Sequence, residues 1–384
     1  MGVNIVKLKD VVDILNGYAF KSSKYVKSGH RVMRITNVQK GILVDDDPKY
    51  YEQSNELNKY ELKIGDILIS LTGNVGRVGM VEEQILPAYL NQRVGCLRIK
   101  SDKVFDRYLF HLLNNDSFED NCIRISNGIA QLNMSTEWLK DVDINLPSLE
   151  EQKKIARILD KADEIRTKKR LANDKLDEFL KSTFISMFGN PVTNTKSLDI
   201  VKVIDVCDCM VPGRDKPKSF TGNIPWITID DLKINSITYK SKNNMGLTDT
   251  EISEVKRKTI PTGSVIMSCV GNLGLCSIAG QPMVINQQLH SFQCSEKVNN
   301  IYLMFILGQM TRYMNKNASS TTVLYMNKTV CNSIPILLPN IIEQNKFAQI
   351  VEHVEAQKQK NEQIIEQMDN LFNSLSQRAF KGEL

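Results

Sequence analysis

Backbone breakers are scarce in this chain: only 20 glycines and 11 prolines occur among 384 residues. That excludes a collagen-like or low-complexity protein. Long apolar runs are missing as well. The longest strongly apolar stretch, Ile301 to Leu307, falls far short of the ~20 residues a membrane span needs. The opening MGVNIVKLKD alternates apolar and charged residues, without the continuous apolar stretch of a secretory signal. Val6 stands where a myristoylation pattern requires Ser or Thr. Eight cysteines, at 96, 122, 207, 209, 269, 276, 294 and 331, never form a CxxC pair, and only four histidines are available as co-ligands. No metal site is therefore expected, and the thiols read as free and mostly buried. Together these absences describe a cytoplasmic protein that makes no use of a membrane.

Catalytic signatures are equally thin. There is no GxxxxGK[ST] phosphate loop, and Gly73, Gly76 and Gly79 follow a GxxGxxG spacing that is not a dinucleotide fingerprint. Asn190-Pro191 runs into Val192, so the [DN]PP[YF] element of amino-methyltransferases is missing. Asp47 followed by Glu61-Leu62-Lys63 has a nuclease-like order, but such spacing arises by chance in a chain that is 24% charged. Nothing places a nucleophile beside a base or groups carboxylates for metal-ion catalysis. No catalytic residue and no cofactor are assigned to the chain.

What is present is a globular composition, 42% hydrophobic, with 49 basic against 44 acidic residues for a net charge of +5. The mild excess permits an anionic partner without demanding one. Length alone suggests two or three domains at ~150 residues each. An internal repeat replaces that estimate. LPSLEEQKKIARI from Leu146 is matched by LLPNIIEQNKFAQI about 190 residues later. Gly73-Asn74-Val75-Gly76 recurs as Gly271-Asn272-Leu273-Gly274, and Asn91-Gln92 recurs as Asn286-Gln287. VKLKDVVD from Val6 pairs with VKVIDVCD from Val201, and Arg34-Ile35-Thr36 with Trp226-Ile227-Thr228. The matches are collinear, so one long unit occurs twice.

Each copy has two parts. Residues 1–145 and 191–337 hold short β-prone runs such as GDILISL, RVGCLRI and GSVIMSCV between Gly, Asn and Asp turns. Residues 146–190 and 338–384 are the helical parts. Between Ser148 and Phe188, and between Asn340 and Lys381, there is neither Gly nor Pro, which predicts two helices of about 40 residues or ~60 Å. Ser148 with Glu151 forms a capping box, Asn340 is a matching N-cap, and Gly189-Asn190-Pro191 ends the first helix. Apolar residues recur at alternating three- and four-residue steps through Ile155, Ile158, Ala162, Ile165, Ala172, Leu176 and Phe179, skipping Lys169. The second copy answers with Phe347, Ile350, Val354, Gln357, Ile364, Met368 and Leu371, skipping Asn361. A polar residue on a heptad seam fixes register at some cost in stability, so the two helices are predicted to pair. An antiparallel pairing makes them a ruler between two domains. The fold class is α+β: two homologous α/β domains and two long helices in an antiparallel coiled coil.

The loops carry the binding chemistry. In the first copy the candidates are Arg34, Asn74, Arg77, Asn91, Gln92, Arg93 and Asn133. In the second they are Arg214, Lys216, Asn272, Asn286, Gln287, Gln288, Asn327 and Lys328. Arg bidentate to guanine and Asn or Gln bidentate to adenine are the usual major-groove contacts, while Lys and backbone amides near glycine suit phosphates. Arg77 and Arg93 are expected on one half of a DNA site, Arg214 and Gln287 on the other.

The chain resembles the specificity subunit of type I restriction–modification systems. The resemblance spans essentially the whole length. It rests on KLKDVVDILNGYAFKSSKY, IPWITIDDL, the two helix starts LPSLEEQKKIA and LPNIIEQNKFA, the paired TGN and VGN loops, and LSQRAFKGEL. It implies two target-recognition domains that each read half of a split, asymmetric sequence in double-stranded DNA, with the helices setting the gap. Half-sites about one duplex turn apart, on the order of 34 Å, lie within reach of such helices. It also implies that the helical parts, including Glu151, Gln152, Glu343 and Gln344, dock two methyltransferase subunits, and that these recruit restriction subunits. S-adenosylmethionine, ATP and Mg²⁺ then belong to the partners. The second helix start departs mildly from the first, reading NIIEQNKFA rather than repeating EEQKKIA, which is expected to bias the two docking sites slightly and puts no function in doubt. The alternative reading is a coiled-coil scaffold joining two ligand-binding domains that do not touch DNA.

Overall fold

Ile67–Ser70 and Val265–Ser268 are strands buried on both faces. Successive side chains of a strand point to opposite sides, so Ile67 and Ile69 enter one core while Leu68 enters another. Val265 and Met267 separate from Ile266 in the same way. The computed structural model describes residues 4–126, 132–213, 215–320 and 323–380.

The chain divides into two compact units, Met1–Lys169 with Gln363–Leu384, and Arg170–Glu362. In the first, a four-stranded antiparallel sheet runs in the order Val12–Asn16, Val94–Ile99, Ile67–Ser70, Val78–Met80. A smaller sheet places His30–Met33 between Tyr50–Tyr51 and Ala88–Leu90, the latter pairing parallel. Helix Asp106–Leu113 packs Tyr108, Leu109 and Leu113 into the same core as Ile67 and Ile69. The pairing of Ile5–Lys7 with Asp143–Asn145 closes the domain.

The second unit repeats this plan with Cys207–Met210, Leu289–Cys294, Val265–Ser268 and Cys276–Ala279, and adds Ile237–Thr238 as a parallel edge strand. Ile224–Ile227 lies between Gly246–Leu247 and Val284–Ile285, and Ile200–Lys202 pairs with Pro335–Leu337. The same sequence pattern has built the same topology twice. The expected α+β architecture is present.

The long helices are Leu149–Phe188 and Ile341–Phe380, each of 40 residues. Ser148 N donates to Glu151 Oε2 (3.2 Å) and Glu151 N to Ser148 Oγ (3.3 Å), the reciprocal bonds of a capping box. Asn340 Oδ1 accepts from Ile342 N at 2.8 Å. Gly189 has φ +77°, the left-handed stop of a helix C-terminus.

In the first unit, Ile155, Ala156, Leu159 and Ala162 share a core with Phe372. Arg166 lies 4.5 Å from the Phe372 ring centroid and donates to Asp369 at 2.8 Å. In the second unit, Leu180, Phe184 and Phe188 share a core with Phe347, Val351 and Val354. There Lys358 pairs with Asp177 at 2.9 Å, and Asn361 Nδ2 donates to Asn173 Oδ1 at 2.7 Å. Within each unit, higher numbers on one helix meet lower numbers on the other, so the pairing is antiparallel. Asn361 is only 2% exposed, a buried polar residue at the predicted place, whereas Lys169 is half-buried.

The predicted seam needs correction at four positions, one of which is Gln357, a polar residue that stands exposed. Ile158, Phe179 and Leu371 are 40%, 49% and 44% exposed, and Leu159, Leu180 and Phe372, one residue further on, take the buried places. The reason is that each helix segment also packs on its domain core. The buried face is therefore wider and turned relative to a strict coiled-coil seam. Leu176, Ile350 and Met368 are partly buried.

Candidate nucleic-acid interface

Three backbone segments converge at one end of the central sheet in each unit. In the first, Ser70 Oγ donates to the Asn74 carbonyl and accepts from Arg77 N (3.2 Å), while Gly76 N donates to Ser70 O (3.0 Å). This tight turn needs φ +69° at Gly73 and +84° at Gly76, a region costly for residues with a Cβ. Gly73 N donates to Leu132 O (2.9 Å), Met134 N to Leu71 O (2.8 Å), and Leu71 N to Arg93 O (3.1 Å). The second unit repeats the network. Ser268 Oγ donates to the Asn272 carbonyl and accepts from Leu275 N (2.8 Å). Gly271 N reaches Leu324 O (2.9 Å), Met326 N reaches Cys269 O (2.9 Å), and Cys269 N reaches Gln288 O (2.8 Å). Two serines absent from the sequence-derived candidates thus anchor the loops. Their signal was the repeat itself, in ISLTGN and MSCVGN.

On this platform the candidates separate into tips and supports. Asn74, Gln92, Arg93 and Asn133 are exposed in the first unit, as are Lys216, Asn272, Gln287 and Lys328 in the second. Asn91 and Asn286, expected as base contacts, are instead buried turn builders, 8% and 7% exposed. Asn91 Oδ1 accepts from Arg93 N (3.2 Å), and Asn286 Oδ1 from Gln288 N (3.0 Å). Gln288 is held in turn, its Oε1 accepting from Asn286 Nδ2 at 2.9 Å. Asn327 caps helix Lys328–Asn332 by accepting from Val330 N at 3.0 Å. Arg77 is engaged internally, with Gln39 Oε1 at 2.9 Å and Glu119 at 3.5 Å. Arg34 donates to the Asp47 carbonyl at 2.6 Å. Lys49 first, and Arg34 after it, hold the Asp47 carboxyl below its ordinary range. Arg214 lies outside the described residues. What remains at the tips is a set of amides and cations on rigid backbone, suited to base edges and phosphates.

The glutamines at the helix starts play a different part from the docking role expected of them. Gln152 and Gln344 are both 0% exposed. Gln152 Oε1 accepts from Phe105 N (2.8 Å), and its Nε2 donates to Lys103 O (2.8 Å) and Pro147 O (2.9 Å). Gln344 does the same with Asn299 N (2.9 Å), Lys297 O (3.2 Å) and Pro339 O (2.8 Å). Each amide satisfies loop backbone groups that would otherwise be buried unpaired, which withdraws both from a docking face. Glu151 serves the cap, and exposed Glu343 pairs with Lys346 at 2.7 Å. Among the described residues no group of three or more His, Cys, Asp or Glu could hold a metal ion, all eight cysteines are free, and no helix is long and apolar enough to cross a membrane.

Comparison with known proteins places this duplicated arrangement. Residues 1–176 and 196–369 each match the family described as the type I restriction modification DNA specificity domain. The chain belongs to that family. The type I restriction enzyme MjaVIII specificity subunit of Methanocaldococcus jannaschii is 34% identical over 184 residues, 46% of this chain and 43% of that protein. The match thus spans less than half of that relative. The EcoBI specificity subunit of Escherichia coli is 25% identical over 425 residues, covering 99% of this chain and 85% of its own length. Among solved structures, the S subunit of a type I restriction–modification system from M. genitalium superimposes with a TM-score of 0.61 at 11% identity, covering 99% of this chain and 96% of that one. The fold is shared despite the low identity.

Proposed function

We propose that this chain is the specificity subunit of a type I restriction–modification complex and reads a split, asymmetric DNA sequence, one half per recognition domain. The observation that carries the reading is the paired platform. The same serine-anchored loop, the same Asn-Gln turn and the same third segment present exposed amides and cations in both units. Sequence is read by base-edge contacts, and a rigid backbone under the reading side chains lowers the entropy cost of making them.

Catalysis is assigned to partners. Two methyltransferase subunits dock on the helical parts and bring restriction subunits with them. S-adenosylmethionine, ATP and Mg²⁺ are bound there, in the cytoplasm where the DNA lies. With a net charge of only +5, part of the phosphate contact and of its salt dependence falls to those partners.

The test is the methylation pattern of DNA from cells with and without this protein, together with salt-dependent DNA binding by the complex with its methyltransferase. A split adenine-methylated motif that appears only with the protein is the expected result. Absence of both a motif and salt-sensitive binding overturns the function.

A further inference from the structure

One side chain beside the first reading turn has no part in the arrangement above. After the strand Val12–Asn16 the chain presses onto Asn91 so closely that a Cβ at Gly17 would lie 2.3 Å from the Asn91 carbonyl carbon and oxygen. Only glycine fits there. Tyr18 N then donates to Leu90 O (2.9 Å), and Gln92 N donates to Tyr18 O (3.0 Å). The reading turn and Tyr18 are thus locked together through backbone on both sides.

The ring itself is anchored from behind. Phe20 meets it edge-on at 5.0 Å between centroids and Tyr60 lies tilted against it at 5.3 Å, and Phe20 is in turn packed on Tyr51 and Tyr89. Yet Tyr18 remains 38% exposed. An aromatic held rigid on one side and open on the other costs little further entropy on binding. Around it, Lys21 and Lys24 are exposed and make no ion pair among the described residues, while the Lys59 ammonium lies over the Tyr60 ring at 5.0 Å. Free cations flanking an anchored aromatic are the composition of a nucleic-acid contact.

The second copy supplies an independent parallel. The stretch following its strand Cys207–Met210 carries exposed Lys216 and Lys218. That stretch is tied to the strand before the Asn286 turn by Arg257, which donates to the carbonyls of Asp215 (2.6 Å) and Ile285 (3.4 Å). In both units, therefore, the segment after the first strand of the large sheet is held against the reading turn.

We infer that Tyr18 contacts a base of the first half-site alongside Gln92 and Arg93, with Lys21 and Lys24 on the neighbouring phosphates. This rests on the DNA-reading function proposed above. The experiment compares wild type, Tyr18→Ala, Tyr18→Phe and Lys21→Ala/Lys24→Ala, each as the full chain in complex with its methyltransferase. The readouts are the methylated motif and DNA affinity across a salt series. Tyr18→Ala is expected to relax discrimination at one position of the first half-site by roughly tenfold, leaving the second half-site unchanged. Tyr18→Phe keeps the ring and its selectivity. The double lysine variant alters no packing; it keeps the motif but lowers the salt slope by about two. A Tyr18→Ala complex with wild-type discrimination, or an unchanged slope in the lysine variant, overturns the inference while leaving the function standing. A wild type that reads no sequence removes the function itself.

Discussion

Gln344 provides a test of what holds the second helix start to its domain. Replacing it with methionine keeps length and volume but deletes one acceptor and two donor contacts, to Asn299 N, Lys297 O and Pro339 O. Lys297 is exposed, so water can replace its bond, but the Asn299 and Pro339 groups lie against the buried amide. Leaving two such groups unpaired costs roughly 1–3 kcal/mol each, and the apolar methionine recovers about 1–2 kcal/mol. The net loss is about 2–3 kcal/mol, or a midpoint lowered by roughly 5–10 °C for a unit of this size. Thermal and urea unfolding measure it, with the urea slope expected to stay unchanged because the surface exposed on unfolding is the same. A midpoint within about 1 °C of wild type, on the same scale, would refute the reasoning. Unchanged stability with lost methyltransferase binding would return Gln344 to a docking role.

Two further outcomes are expected. Burial pushes the His290 imidazole down to about 4, against an ordinary value near 6.5. Its folded pKa is depressed, so its contribution is complete above pH ~6.5 and is lost as pH falls toward ~4. About 2 kcal/mol of stability should therefore go between pH 7.5 and 5.0, and His290→Gln should remove that difference in urea unfolding; equal pH sensitivity in both proteins contradicts it. Arg257→Lys keeps the charge but loses the fork that spans the Asp215 and Ile285 carbonyls. Discrimination should fall roughly tenfold in the second half-site alone, and an equal change in both halves, read from methylated motifs, would sink this role.

Local features were legible in the sequence because they depend on neighbours in the chain. Freedom from Gly and Pro marked both long helices to within a residue or two, and Ser148 with Glu151 marked a cap that the hydrogen bonds reproduce. The repeat marked the two platforms. Choices set by distant contacts were not legible. Phe179 and Leu180 are both apolar, and only packing against the second domain core decides that Leu180 is the buried one. Gln152 and Gln344 look like surface residues until loop carbonyls from more than forty positions away are seen at their amides. Asn91, Asn286 and Asn327 belong to a residue type that both reads bases and builds turns, and the backbone alone selects between those uses.

The division of the chain also sets the order in which its two units can be completed. Arg170–Glu362 is continuous, so its core has every residue it needs before the last helix is finished. The unit that begins first is completed last, because Phe372 must join Ile155, Leu159 and Ala162. Until residue 363 and those after it emerge from the ribosome, the part of that face which Phe372 covers stays open, available to chaperones or to any other chain with a matching stripe.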